Sequence, residues 1–422
     1  MSSLHQHTIP FGGDAFSIFE AFKGREHAFF LDSSLKGSQG QFSYIGFAPF
    51  KIVNQGDLSG LKIIFEKYRL KTPVHGFPAG LVGYLGYDRS LFFGFYDTIL
   101  TVDHLKKKLI ITSFSKSRIK DVLVQLKKAP DDIERKKSPF PNLSFQSNFT
   151  KSAYIKAVHQ ALKHIRRGDI YQINLSHQIK VPLPRWQNHM GPWGIYKNLR
   201  RFFPSDFGAY FDDGKQVILS ASPERFLRLH NNIAQVKPMK GTRPRGKNKT
   251  LDHQLKEELK KSPKEIAELL MVTDLERNDL GRVCDYASVK VRAMRKIESY
   301  ASVFQATSTI EGRLRQECDL FDLLQATFPS GSVTGCPKIE AMKIIKKLEH
   351  GSRGLYTGAL GYISFSGDMD FNVMIRTMFL KKDQITFHVG GGIVADSKPQ
   401  DEWQETWDKA KPLIETINQS FS

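Results

Sequence analysis

Short apolar runs separated by glycine and other turn-forming residues dominate the first 126 positions of the chain. Residues 28–31 and 108–112 have the length and composition typical of strands. Residues 80–88 alternate glycine with larger apolar residues, which predicts a strand that another backbone approaches closely. The composition becomes rich in lysine, serine and proline over residues 127–150, and we predict a linker there.

A helical pattern follows the predicted linker. Apolar residues recur at helical spacing from Tyr154 to Ile165, which predicts a helix that Ser152 caps and Gly168 ends. Strand-like segments come next, and a further one lies close to the end of the chain. These segments are residues 169–181, 216–219, 226–229 and 384–389.

Two more helices are predicted in the second half of the chain. Ser262, Pro263 and Glu265 have the spacing of a capping box with proline at the first helical position. Another helix is expected from about residue 397 to about residue 417. This irregular mixture of helices and strands predicts an α+β fold rather than a doubly wound sheet. The predicted divisions are an N-terminal region 1–126, the linker 127–150 and a catalytic domain 151–422.

The net charge of +19 over 422 residues allows two kinds of partner, because a basic field attracts nucleic acids and small anions alike. The lysines are scattered, and no stripe interleaves them with aromatic residues as a nucleic-acid groove would. No zinc-finger, basic-zipper or RNA-recognition signature is present. We therefore expect no nucleic-acid partner, and keep a basic nucleic-acid-binding protein as the alternative from another class.

The location is expected to be cytoplasmic and away from membranes. The three cysteines form no C-x-x-C pair, and a sparse, odd count is typical of a reducing compartment. The first residues lack the pattern of a signal peptide. No apolar run approaches the length of about 18 residues that a membrane span requires.

A lysine that is a candidate nucleophile lies in the basic segment 235–246. Lys240 stands between a Pro-Met pair and Gly241-Thr242, in what the sequence predicts to be a constrained turn. Such a lysine could present its amine to a site where nearby positive charge lowers its pKa and makes it a nucleophile. The alternative is an ordinary basic surface loop, since charged runs are usually solvated.

Two acidic pairs have the spacing of a shared helix face. Glu265 and Glu268 begin one predicted helix, and Glu402 and Glu405 begin another. If the two helix starts converge, four carboxylates would form a hard oxygen site suited to Mg²⁺. The alternative is that these glutamates serve only to cap helices. Gly390, Gly391 and Gly392 follow a predicted strand, where their amides could bind an oxyanion or simply form a tight loop.

Six further motifs occur in order along the chain and together resemble the chorismate-utilising enzymes, most closely the aminodeoxychorismate synthase component I branch. The resemblance is specific after residue 150 and weaker before it, at residues 42–46 and 83–88. It implies an anthranilate synthase component I-like α+β fold, with two packed β-sheets flanked by helices and a central active-site cleft. The N-terminal region is expected to pack into the same body. The motifs are GDIYQINL at 168–175, SPERF at 222–226, DLERND at 274–279, TGCPK at 334–338, IRT at 375–377 and DS at 396–397.

The resemblance also implies roles for individual residues in a Mg²⁺-dependent reaction on chorismate. Glu268 and Glu405 match the direct metal ligands, and Glu265 and Glu402 match the outer carboxylates that hold metal-bound water. Glu224 matches the general acid that protonates the departing 4-hydroxyl. The matched substrate-binding residues are Thr242, Tyr356, Arg376, Gly390, Gly391, Gly392 and Gln172.

Two positions discriminate among the activities of the family. Water-adding relatives have a lysine base where this chain has Gln172, and anthranilate synthases usually have alanine where it has Lys240. Lys240 therefore implies covalent attack on carbon 2, followed by ammonia attack on carbon 4 to give 4-amino-4-deoxychorismate for para-aminobenzoate and folate synthesis. The alternative activity is anthranilate synthesis. Gln305 aligns with a histidine of many relatives.

No nucleophilic cysteine in this chain has the setting of a glutamine amidotransferase. The resemblance therefore implies that ammonia comes from a separate glutamine amidotransferase subunit.

Overall fold

Two large β-sheets organise the chain, seen in a computed structural model that describes residues 3–35, 40–71, 76–128, 143–183, 191–300 and 303–421. Residues 129–142 of the predicted linker lie outside this part. The helices are α1 (Ala15–Glu20), α2 (Leu58–Glu66), α3 (Lys116–Lys127), α4 (Lys151–Arg166), α5 (Gly191–Phe202), α6 (Lys249–Lys261), α7 (Pro263–Gly281), α8 (Leu320–Thr327), α9 (Lys338–Leu348) and α10 (Pro399–Phe421).

The first sheet has twelve strands within the described residues, and every pairing is antiparallel. In spatial order they are β1 (His5–Pro10), β8 (Lys108–Ser113), β7 (Thr98–Asp103), β3 (Phe42–Gly46), β2 (Phe29–Asp32), β11 (Phe207–Asp212), β12 (Val217–Ser222), β21 (Thr377–Lys381), β22 (Gln384–Ile393), β10 (Gln172–Pro182) and β18 (Gly335–Cys336), with β9 (Gln146–Ser147) also paired to β10.

The second sheet has ten described strands, which are also antiparallel. In spatial order they are β15 (Met239–Pro244), β17 (Val303–Arg313), β14 (Ile233–Val236), β13 (Arg225–His230), β20 (Met369–Val373), β19 (Ala359–Ser364), β5 (Gly80–Leu85), β6 (Leu91–Tyr96) and β4 (Lys51–Val53), with β16 (Lys290–Ser299) also paired to β17.

The two sheets pack face to face over a buried core. Phe29 and Phe211 of the first sheet belong to one apolar cluster with Val82 and Leu360 of the second. The outer face of each sheet is covered by helices: α1, α5 and α10 pack on the first, and α2 and α8 pack on the second. The predicted α+β fold with two packed sheets flanked by helices is confirmed.

Strands from the first 126 residues are built into both sheets. Strand β2 pairs with β11, and β5 pairs with β19. The predicted close approach at residues 80–88 is present, because a Cβ on Gly83 would lie 1.8 Å from the carbonyl oxygen of Phe92. Within the described residues, no helix is both long and apolar enough to cross a lipid bilayer.

Two predicted helix caps are wrong in detail. Helix α4 is capped by Thr150, whose hydroxyl accepts a hydrogen bond from the backbone N–H of Ala153, so Ser152 lies inside the helix. Ser262 precedes α7, but its side chain makes no capping bond. Glu265 forms an ion pair with Arg243 of β15 at 2.7 Å, so its carboxylate does not complete a capping box.

Candidate active site

The predicted catalytic residues converge where the two sheets approach each other, around β10, β22 and β15. Gly392 of β22 is the common neighbour. A Cβ built on Gly392 would lie 2.5 Å from the amide nitrogen of Gln172 and 3.8 Å from the amine nitrogen of Lys240. Residues far apart in the sequence therefore meet at one point, and a side chain larger than glycine at position 392 would displace the amide of Gln172.

Lys240 lies on an edge strand rather than in the predicted turn. Strand β15 pairs with β17, and the pairing register shifts between Lys240 and Thr242. Gly241 is the extra residue of this β-bulge, with a φ of +75° that glycine adopts without strain. A Cβ on Gly241 would lie 2.8 Å from a methyl carbon of Leu259. The amine of Lys240 lies near Gly392, so the alternative of a basic surface loop does not describe it.

The environment of the Lys240 amine favours its neutral form. Burial lowers the pKa of this amine, and the carboxylates of Glu268 and Glu224 act in the opposite direction. The amine donates a hydrogen bond to the backbone carbonyl oxygen of Ser332 at 3.3 Å. The two arginines that follow it are engaged elsewhere, since Arg243 pairs with Glu265 and Arg245 with Asp252.

Glu224 follows β12 and is almost fully buried, with 3% of its surface exposed. Burial raises the pKa of its carboxyl group to about 7, against the opposing effects of the Ser332 hydroxyl and the Lys240 amine. Its Oε1 atom is buried without a hydrogen-bond partner among the described residues. A carboxyl group in this state is partly protonated near neutral pH, as a general acid requires.

Arg376 is held in a conformation that few non-glycine residues adopt, with a φ of +49°. Its guanidinium lies over the ring of Phe203, with 5.6 Å between the guanidinium carbon and the ring centroid. Burial lowers the pKa of this guanidinium, and the charge of Glu224 opposes that effect. Within the described part of the chain its guanidinium forms no hydrogen bond or ion pair, so its N–H groups are available to an anionic ligand.

Tyr356 lies on a segment next to that of Arg376, because the following residue, Thr357, bonds through its backbone to Met374 at 3.0 Å. Its ring stacks on His388 of β22, with 4.8 Å between centroids. Burial raises the pKa of Tyr356 to about 12, so its phenol remains a hydrogen-bond donor at neutral pH.

Gly390, Gly391 and Gly392 are strand residues, so the predicted loop after residue 389 is wrong. Strand β22 continues to Ile393 because β10 pairs with it along this whole length. Strand β21 pairs only with residues 384–387 of β22. The three glycines therefore have β10 on one edge and no described strand on the other.

Gln172, Gln305 and Thr242 occupy different surroundings. Gln172 begins β10, is 2% exposed, and its Oε1 atom has no hydrogen-bond partner among the described residues. Gln305 is buried on β17 opposite Thr242. Thr242 itself is exposed. Thus the structure brings Gln172 to Lys240, and places Thr242 at the outer part of the same strand.

The four predicted metal ligands lie in the first two turns of α7 and α10. The charges of Glu268 and Glu405 act on each other and on Lys240, so the two helix starts face a common region. A Cβ on Gly391 would lie 3.3 Å from Glu402 and 3.7 Å from Glu405.

Each of these carboxylates already has a polar or charged neighbour. Glu265 pairs with Arg243 at 2.7 Å, Glu268 with Lys264 at 4.0 Å and Glu405 with Lys409 at 2.6 Å, and Glu402 accepts from Ser397 at 2.6 Å. Among the described residues no three His, Cys, Asp or Glu side chains are close enough to form a closed metal shell. The oxygen donors suit a hard divalent cation, and the spacing requires side-chain rotation to surround one.

Burial and neighbouring charge set the protonation of these carboxylates. Burial raises the pKa of Glu268 and of Glu402. Burial would also raise the pKa of Glu405, but the ammonium of Lys409 outweighs it and the pKa is lowered. Glu405 is therefore held more firmly in its charged form than Glu268 or Glu402.

Two functional candidates were not identified from the sequence. Ser332 lies between the amine of Lys240 and the carboxyl group of Glu224, and Glu276 is a second buried carboxyl group behind them. Glu276 belongs to the DLERND motif, where it is an acidic residue on the buried face of a helix. The helical spacing of Glu276 with the apolar residues of that face is the sequence signal that could have identified it.

A cavity of about 540 Å³ opens between the sheets but contains none of the predicted site residues. Its lining combines apolar side chains such as Phe42 and Phe77 with polar and charged ones such as Asp32, Arg228 and Asp370. Arg225, next to Glu224 in the chain, also lines it but forms an ion pair with Asp370. We place the candidate active site at the convergence around Gly392, where the nucleophile and acid candidates meet.

Comparisons with known proteins identify the family of the chain. The family model for chorismate binding enzymes matches residues 36–415. Anthranilate synthase component 1 of Thermus thermophilus is 33% identical, with 92% of each chain covered. Aminodeoxychorismate synthase component 1 of Bacillus subtilis is also 33% identical, with 95% of this chain and 94% of the relative covered. The crystal structure of anthranilate synthase component I from Streptococcus pneumoniae superposes with a TM-score of 0.78 at 30% identity, covering 88% of this chain and 92% of that one.

Proposed function

Because this chain belongs to the chorismate-binding enzyme family, we propose that it aminates chorismate to 4-amino-4-deoxychorismate, the first step toward para-aminobenzoate and folate. The observation that supports this product is the partly buried amine of Lys240, close to Gly392 and influenced by Glu224. Burial lowers the pKa of this amine, and a neutral amine can attack carbon, which a solvated ammonium cannot.

The reaction proceeds in two displacements. The neutral amine of Lys240 forms a bond to carbon 2 and becomes a charged ammonium, while the ring double bonds shift and the bond from carbon 4 to its hydroxyl breaks. Glu224 gives its proton to that hydroxyl, which leaves as water. Ammonia then bonds to carbon 4, and Lys240 leaves carbon 2 as a neutral amine. The product amine holds the extra proton of the attacking ammonia, so each turnover needs one proton returned to Glu224.

Substrate anchoring is assigned to the groups around this pair. The free guanidinium of Arg376 and the phenol of Tyr356 suit a carboxylate of chorismate. Gln172 cannot act as a base in the accessible pH range, which favours an amine over water as the nucleophile. Ammonia is supplied by a separate glutamine amidotransferase subunit.

A second activity, anthranilate synthesis, is kept because the matched relatives with that name are as similar to this chain as the aminodeoxychorismate synthase. In that reaction ammonia adds at carbon 2, and pyruvate is then lost. Both activities use the same acid and the same substrate anchors, and they differ in what occupies the position of Lys240.

The first prediction is the product itself. Purified protein with chorismate, Mg²⁺ and ammonium at alkaline pH is expected to form aminodeoxychorismate, measured by chromatography with mass detection. An added lyase should convert this product to para-aminobenzoate. Anthranilate as the main product would show that the second activity is correct. Binding to DNA or RNA without chorismate turnover would instead favour a basic nucleic-acid-binding protein.

Mg²⁺ is proposed as the cofactor, with Glu268 and Glu405 as direct ligands and Glu265 and Glu402 as holders of bound water. When bound, the ion would grip the ring carboxylate of chorismate. The convergence of the two helix starts beside Gly391 supports this assignment. The ligands would have to exchange their present partners Lys264 and Lys409 for the cation.

We predict that Glu268→Gln raises the Mg²⁺ concentration for half-maximal activity at least about tenfold, because a neutral amide replaces a charged ligand. Calorimetric titration of Mg²⁺ should show the same loss of affinity without turnover. The control is Glu340→Gln, since Glu340 is 43% exposed and pairs only with Lys343 of its own helix among the described residues. Full activity of the wild-type protein after exhaustive chelation would rule out the cofactor.

A further inference from the structure

A second buried carboxyl group lies behind Glu224. Glu276 of α7 is 1% exposed. Its Oε1 atom accepts hydrogen bonds from the backbone N–H of Gly331 at 2.9 Å and from the hydroxyl of Ser330 at 3.0 Å. Its Oε2 atom is buried and has no hydrogen-bond partner in the described part of the chain. The proposed reaction has no direct use for this group.

Two serine hydroxyls join Glu276 to Glu224. The hydroxyl oxygens of Ser330 and Ser332 are 3.0 Å apart, and either can donate to the other. The Ser332 hydroxyl in turn interacts with the carboxyl group of Glu224. Each of the two carboxyl groups thus has one oxygen toward a hydroxyl and one buried oxygen that no described residue contacts by a hydrogen bond. The result is a continuous line of exchangeable protons between two acids.

The charges around the two carboxyl groups differ in sign. Glu276 faces the ammonium of Lys338 and the carboxylate of Asp279, while Glu224 faces Lys240, Arg376 and Glu276 itself. A negative charge left on Glu224 would attract a proton to Lys240 and remove the neutral amine. The same charge on Glu276 would lie nearer to Lys338.

We propose that Glu276 is a positioning residue that keeps Glu224 protonated, by passing it a proton through Ser330 and Ser332 after the 4-hydroxyl has left. This rests on the proposed function. The proton leaves Glu276 for Ser330, Ser330 gives its own to Ser332, and Ser332 gives its own to Glu224. Both hydroxyls end unchanged, and Glu276 becomes the carboxylate. When the product leaves, Glu224 returns its proton along the same path in reverse to Glu276, and Glu224 takes one new proton from solvent.

The charge of Glu276 also acts on Glu224. Burial raises the pKa of each carboxyl group to about 7, and the charge of Glu276 further opposes ionisation of Glu224. Ionisation of Glu276 therefore stabilises the protonated form of Glu224. Loss of that charge should lower the pKa of Glu224.

The test is an infrared titration of the buried carboxylic acids in the intact protein without substrate. Glu276→Gln retains an oxygen that can accept from Gly331 and Ser330, so the turn keeps its hydrogen bonds while the acid is lost. The infrared band of Glu224 is identified as the one that disappears in Glu224→Gln. In Glu276→Gln this Glu224 band is expected to titrate about one pH unit lower than in the wild-type protein. Glu340→Gln is the control for loss of a glutamate, and should leave both bands unmoved. An unchanged titration of Glu224 in Glu276→Gln overturns the proposal.

Kinetics supply the second readout. In Glu276→Gln the alkaline limb of the kcat profile should move to lower pH by the same amount, with KM for chorismate within about twofold. Ser330→Ala keeps the charge of Glu276 but interrupts the proton path between the two acids. It should lower kcat about tenfold without moving the alkaline limb of the pH profile. Because the infrared result needs no turnover, formation of a different product would refute the proposed function and leave this test intact.

Discussion

Lys240→Ala is expected to lower kcat for aminodeoxychorismate at least about 100-fold, which corresponds to about 2.7 kcal/mol of transition-state stabilisation. The variant removes the only group proposed to bond to carbon 2. KM for chorismate should change little, because Arg376 and Tyr356 remain. Alanine fits an edge strand and leaves the Gly241 bulge and the pairing with Ala306 in place, so the loss should not come from unfolding.

Two further variants separate nucleophilicity from charge. Lys240→Arg retains a cation of similar length, but a guanidinium stays protonated and cannot attack carbon, so it should be as inactive as alanine. Lys247→Ala removes an exposed lysine beyond the same strand and should have wild-type activity. Rapid quenching of the wild-type protein without ammonia should reveal a peptide containing Lys240 with the added mass of dehydrated chorismate. Undiminished aminodeoxychorismate formation by Lys240→Ala would exclude the covalent route.

The strands and the two-sheet architecture could be predicted because their signals are local or come from ordered motifs. The apolar runs at 28–31 and 108–112 correspond to β2 and β8, and the glycine-rich run at 80–88 contains β5. The positions of Glu265 and Glu402 near helix starts also follow from the sequence. The engagement of Glu265 by Arg243 does not, because it depends on a contact between a strand and a helix 22 residues apart.

The state of the lysine could not be predicted from its neighbours. The basic residues around Lys240 suggested that positive charge would lower its pKa, whereas burial is the largest cause. That burial arises from the pairing of β15 with β17, more than 60 residues along the chain. Strand β22 likewise continues through three glycines because β10 lies beside it, although glycine is usually unfavourable in strands.

The connection between Glu224 and Glu276 could not be predicted from the sequence for a related reason. Ser330 and Ser332 reach Glu276 through a turn that returns to α7 after 54 residues. No local spacing indicates such a contact. The sequence offers one indication, because Glu276 has helical spacing with Leu269, Val272 and Leu280, and its partners are known only once the turn at Ser330 is placed.

Glu224→Gln is expected to lower kcat by about 10²- to 10⁴-fold, the usual contribution of a general acid, and to change the pH profile in a specific way. The amide has the volume of the acid and can still accept from the Ser332 hydroxyl, so packing is retained. It cannot give a proton to the departing hydroxyl. The control Glu340→Gln should retain wild-type kinetics.

The pH profile distinguishes loss of an acid from loss of structure. The protonated form of Glu224 is the active one, and its pKa of about 7 means that this form is lost as the pH rises through neutrality. Lys240 acts as the free amine. Because its pKa is lowered, the free amine forms at a lower pH than it does for a solvated lysine. The wild-type kcat should therefore rise and then fall with pH. Glu224→Gln should abolish the fall and keep the rise. A fall that persists in this variant would show that another group, with Glu276 as the nearest candidate, supplies the proton.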